Sequence, residues 1–185
     1  MVGTALGAAM PGVVLAAGAA ANERDVRRSL PGHRVLHLAT HGFFSPAGLC
    51  QASATVGPSG TSDPLRLSGV ILSGANTTRG AAADNDGVLS ARDITSLPLS
   101  GTELVVLSAC ETGLGESVAG EGVLGLARSF GLAGADTTVA SLWSGPNQET
   151  AQLFEAFYRA WLGGASATDA LRTAQLELIE ALRQD

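Results

Sequence analysis

Two side chains in this sequence have the types and the setting for nucleophilic chemistry. His41 lies in "VLHLATHGFF" (Val35–Phe44) and Cys110 in "VVLSACETGLGE" (Val105–Glu116). Each follows a short apolar run, long enough for one buried strand. The chain holds two cysteines and three histidines, so one of each just past an apolar strand is informative. Thiolate is the attacking form of cysteine, and a free thiol with a pKa of about 8.5 supplies little of it at neutral pH. An imidazole within reach takes that proton and later delivers one to a leaving amine. Gly42 leaves the backbone open to a substrate carbonyl. Its N–H and that of Cys110 are candidate donors to the oxygen that becomes anionic on attack. Residue types alone keep a blander reading open: a buried apolar cysteine and a hydrogen-bonded core histidine.

The surrounding pattern says how the two could meet. "VVLAA" (Val13–Ala17) is expected to be a buried strand. A helix follows, capped at Asn22, with Val26 and Leu30 inward and a stop at Pro31-Gly32. Strands are expected at Arg34–Thr40, Leu67–Gly74, Leu104–Ala109 and Thr137–Trp143. "SARD" at Ser90 reads as a capping box, and Gly122–Gly134 as a helix with a glycine stop. Leu153, Phe154, Phe157, Tyr158 and Trp161 form one helical stripe, and Ala170, Leu171, Ala174, Leu178 and Leu182 a second. Inserts around Ser53–Pro64 and Thr77–Asp86 read as surface loops. Apolar strands alternating with amphipathic helices predict an α/β fold with a mainly parallel sheet flanked by helices. In such a sheet, groups past the carboxyl ends of strands share one crevice, which is how His41 and Cys110 would meet.

Composition narrows the function classes. The 185 residues fit one domain, and 45% hydrophobic with 4% aromatic content predicts an aliphatic core. Net charge is −6 and all 11 basic residues are arginine, with no basic patch for nucleic acid. "RDVRR" (Arg24–Arg28) reads as the solvated face of a helix. Cys50 and Cys110 make no disulfide framework, so a reducing, cytoplasmic setting is expected. Met1–Asn22 has no charged side chain, but it lacks a basic start and breaks at Pro11-Gly12, so neither leader nor membrane span is expected. "GLGESVAGEG" (Gly113–Gly122) matches no phosphate-loop pattern. His33, His37 and His41 lie on or beside a strand with no acidic or thiol neighbour, so no metal site or other cofactor is expected.

Four phrases in order sharpen the reading: "HLATHGFF" (His37–Phe44), "VVLSACETGLG" (Val105–Gly115), "GEGVLGLARSFGLAGA" (Gly120–Ala135) and "VASLW" (Val139–Trp143). With them the chain, from about Val13 to Leu182, resembles the CHAT-domain family of caspase-like cysteine peptidases. The resemblance implies a caspase-like three-layer fold, with 1–185 as a single domain lacking family elements at both ends. It implies His41 as general base, Cys110 as nucleophile, and Gly42 and Cys110 as oxyanion-hole donors. It also implies that Val139–Ser144 lines the substrate cleft, with Ser141, Trp143, Ser144, Asn147 and Glu111 as substrate-binding candidates. Where relatives carry acidic residues after "SLW", this chain has Pro146 and Asn147, leaving Glu149, Asp86 or Glu111 to receive a basic side chain. A protein or peptide substrate and a tetratricopeptide-repeat partner or activator are implied as partners. The rival readings are a catalytically silent interaction module of the same fold and, more distantly, a Rossmann-like nucleotide-binding enzyme.

Overall fold

The computed structural model describes residues 12–44, 64–76, 85–108, 110–111, 121–142 and 146–184. The chain divides into two compact units, Ala16–Ser144 and a smaller one made of Met1–Leu15 with Gly145–Asp185.

Among the described residues of the larger unit, seven strands occur: β1 (Val35–Leu38), β2 (His41–Phe44), β3 (Ser68–Ile71), β4 (Val88–Ser90), β5 (Leu104–Leu107), β6 (Cys110–Glu111) and β7 (Thr137–Ala140). They form two sheets. One is wholly parallel, in the order β1-β5-β7, and the other is mixed, in the order β4-β3-β2-β6. In the mixed sheet β2 runs parallel to β6, and the β2–β3 and β3–β4 pairs are antiparallel. The central strand of the parallel sheet, β5, is buried at all four positions. That is why "LVVL" reads as a continuous apolar run without alternation.

Among the described residues of this unit there are three α-helices: α1 (Glu23–Ser29), α2 (Ala91–Thr95) and α3 (Glu121–Ala133). The Asn22 side chain caps α1 by accepting from Asp25 N, and Val26 and Leu30 are buried as their spacing requires. Ser90 and Asp93 form the expected capping box, a device worth about 1 kcal/mol. One apolar core joins both sheets to the helices: Leu36, Val105 and Leu107 from the first sheet, Val70 and Leu89 from the second, Phe130 from α3.

A charged group lies within this core. Glu23 has no exposed surface, and burial pushes its carboxyl above the ordinary value, with Arg27 and the Gly87 N–H acting against the shift. Gly87 N–H donates to Glu23 Oε2 at 3.2 Å, and Arg27 Nη1 bridges Glu23 Oε1 and Asp93 Oδ1, each at 3.2 Å. Arg27 is therefore an internal clasp, while Arg24 and Arg28 are exposed as expected.

Three expectations are corrected. Val13–Ala17 is not a buried strand: Val14 is 67% and Leu15 76% exposed. Among the described residues upstream of α1, pairing begins at the Asn22–Ser73 bridge, so Val13–Ala17 have no ladder there. Arg34–Thr40 is not one strand into the loop, because β1 ends at Leu38 and β2 begins at His41. Of the expected strand Thr137–Trp143, β7 covers Thr137–Ala140. The inserts at 53–63 and 77–84, with Cys50, Trp143 and Ser144, lie outside the described residues.

The smaller unit contains α4 (Asn147–Leu162) and α5 (Ala167–Leu182), which pack on each other. Gly164, at φ 98°, supplies the left-handed turn between them. Phe154, Phe157 and Tyr158 of the expected stripe are buried, as are Ala170 and Ala174. Leu182 departs from its stripe and is 54% exposed, in the last turn of α5.

Candidate active site

The site is built by two strands that break together. Along β1 and β5 the partners run from Val35–Leu104 to Leu38–Leu107. Both strands then leave the parallel sheet, the first at Ala39-Thr40 and the second at Ser108. They pair again as β2 and β6, with His41 opposite Cys110 and Gly42 opposite Glu111. The sequence offset between partners is the same on either side of the break. Ser108 N–H donates to Leu38 O at 3.0 Å across the gap, and Ser141 N–H donates to Leu107 O at 3.0 Å. Partners on adjacent strands are about 4.8 Å apart, so the backbone brings His41 and Cys110 to neighbouring positions.

His41 is exposed and Gly42 is buried. On its other side β2 is held by β3, with His41 opposite Ile71 and Gly42 opposite Val70. The Thr40 hydroxyl donates to the Ile71 carbonyl. This fastens the chain one residue before His41 to the strand that flanks it, a tie that sequence reading missed because Thr40 looks like the last residue of a strand.

A sequence model of the CHAT domain matches residues 3–185. The chain belongs to the CHAT-domain family. That family is caspase-like and peptidase-related, and the parallel sheet with its helices agrees with a caspase-like fold. No individual curated protein matches the chain significantly.

The other candidate residues of this CHAT domain are spread over several elements. Glu111 follows Cys110 in β6, and Ser141 follows β7 and is half-buried. Asn147 opens α4 and Glu149 lies in its first turn, both in the smaller unit. Asp86 sits in the turn before β4, where its Oδ1 accepts from Val88 N at 2.9 Å, next to the buried Glu23. Among the described residues no group of three or more His, Cys, Asp or Glu could hold a metal ion. Among them, too, no helix is long and apolar enough to cross a membrane.

His37, four residues before His41, has a different character. It lies in β1 opposite Val106, and burial lowers its pKa from 6.5 to about 4. A neutral imidazole in the fold and an ordinary one in the unfolded chain give stability a defined pH slope. As pH falls below about 6.5 the unfolded chain takes the proton first, so stability is complete above that pH and is lost as pH drops toward 4. The loss expected between about pH 7.5 and pH 5 is about 2 kcal/mol. Denaturant unfolding of wild type and His37→Gln at both pH values checks this. The wild type should lose about that much more than the variant, and equal losses would refute the assignment.

Proposed function

We propose that this CHAT domain is a cysteine endopeptidase that cuts protein substrates with His41 and Cys110. The observation that supports it is the backbone register that makes these residues neighbours just past the carboxyl ends of the parallel strands β1 and β5. In this reading the His41 imidazole takes the Cys110 thiol proton, and the thiolate attacks the scissile carbonyl. The C–N bond breaks as His41 passes that proton to the departing amine. A water then loses a proton to His41 and attacks the thioester carbonyl, and the thiolate leaves. Gly42 and Cys110 are assigned as donors to the oxyanion in both steps. Ser141, Trp143 and Ser144 are assigned to an extended substrate strand bound by main-chain hydrogen bonds, with Glu111 as a further substrate-binding candidate. A tetratricopeptide-repeat protein is the proposed class of partner or activator. No cofactor is required by these steps.

The second reading, a silent interaction module, shares the fold and differs only at the thiol. A thiol-reactive peptide probe separates them. In the endopeptidase, mass mapping finds the label on Cys110, and His41→Ala slows labelling at least about 100-fold. A folded protein that leaves Cys110 unlabelled would favour the module.

A further inference from the structure

The sheet that carries His41 has two unlike faces. Residues opposite one another in a ladder share a face, and neighbours along a strand alternate. Gly42, Val70 and Leu89 form one row across β2, β3 and β4, and all three are buried, Val70 and Leu89 completely. The helix α3 packs on this side, where a Cβ on Gly125 would come within 3.4 Å of Ser68 Oγ. The alternate row is Val88, Ile71 and His41, with the Cα of Cys110 next in line. Here Val88 and Ile71 are only half-buried and His41 is exposed. Phe43 shares this face. Its ring rests against Gly69, where an added Cβ would meet the ring at 2.7 Å. Neither Phe43, Ile71 nor Val88 belongs to the buried core. A strip of apolar side chains, partly open to water, therefore begins directly beside His41.

Chemistry gives this strip a direction. His41 must hand its proton to the departing amine, so the leaving half of the peptide lies on the His41 side of Cys110. Ile71 is the next strand out, about 10 Å from Cys110 by two strand spacings. An extended peptide advances about 3.3 Å per residue, so the first residues beyond the scissile bond pass over His41, Ile71 and Val88. Resting on the endopeptidase reading above, we propose that Phe43, Ile71 and Val88 form an apolar subsite for the third residue after the scissile bond. The substrate class is thus a polypeptide with a large aliphatic or aromatic residue on the leaving side of the cut.

The test uses the full chain and internally quenched peptides that differ only in the third residue after the cut: Leu, Ala or Asp. Wild type is expected to favour Leu over Ala about tenfold in kcat/KM, and Asp least. The double variant Ile71→Thr, Val88→Thr keeps β-branched side chains in both strands while making the strip polar. In it the Leu-to-Ala ratio is expected to fall close to one. The ratio is taken within each protein, so any loss of folded material cancels. Cleavage by wild type without preference, or an unchanged ratio in the double variant, would overturn the subsite and leave the peptidase reading standing. Wild type that cleaves no peptide and leaves Cys110 unlabelled by a probe ending at the cut would overturn both.

Discussion

Cys110→Ala is expected to remove peptide hydrolysis, lowering kcat/KM by about 10⁴-fold or more, with little change in stability. The first half follows from covalent chemistry: without sulfur there is no thioester, and water must attack an unactivated amide. Oxyanion donors and substrate binding alone leave only a small residual rate. The second half follows from the way β6 is held. It pairs with β2 through main-chain groups at Cys110 and Glu111, and alanine keeps those groups. Wild type and variant, purified in parallel, are compared by peptide turnover and by thermal melting. Equal turnover in both would mean that another nucleophile or a contaminant does the cutting, and the dyad would fall. Loss of turnover with a collapsed melting curve would show Cys110 acting through the fold instead.

How much of this was readable from residues alone depends on the range over which each signal acts. The caps at Asn22 and Ser90 were readable because both donors and acceptors lie within three residues. The strand around Leu104 was readable because burial on every side leaves no polar interruption. Family membership was readable because four separated phrases occur in order, and the CHAT match spans residues 3–185. The second sheet was not readable. At four and two residues, β2 and β6 are too short to show a period of their own. They exist because β1 and β5 break at equivalent points and re-pair in the same register. The placement of His41 opposite Cys110 thus comes from strand order, which local sequence does not encode. The burial of Glu23 was not readable for a similar reason. It opens a helix whose neighbouring arginines read as solvated, but its partner Gly87 is 64 positions away. Val13–Ala17 failed in the opposite sense, because an apolar run is a strand only where a neighbouring ladder receives it.

That distant contact makes Gly87 the position where one methyl group should cost most. Gly87 has φ 81°, and an added Cβ would sit 2.3 Å from Ala75 N and 2.6 Å from Ala75 Cα. Both obstacles are backbone, so neither can rotate away. The residue is fixed from two sides: its N–H donates to the buried Glu23 at 3.2 Å, and its carbonyl accepts from Leu72 N at 2.8 Å. Relief of the clash must therefore move the turn at Gly74–Ala75 or loosen the contact to the Glu23 carboxyl. The left-handed backbone costs an alanine about 1 kcal/mol, and overpacking adds about 1–3 kcal/mol. Gly87→Ala is expected to destabilise the protein by about 2–4 kcal/mol and lower Tm by about 10 °C. Gly32→Ala is the control, since Gly32 has φ 84° with nothing within 4 Å of its added Cβ. It carries the backbone cost without the collision and should lose only about 1 kcal/mol. Unfolding both variants in denaturant separates the two costs. If they lose the same amount, the turn before β4 does not press on Ala75, and the buried Glu23 contact is looser than its geometry indicates.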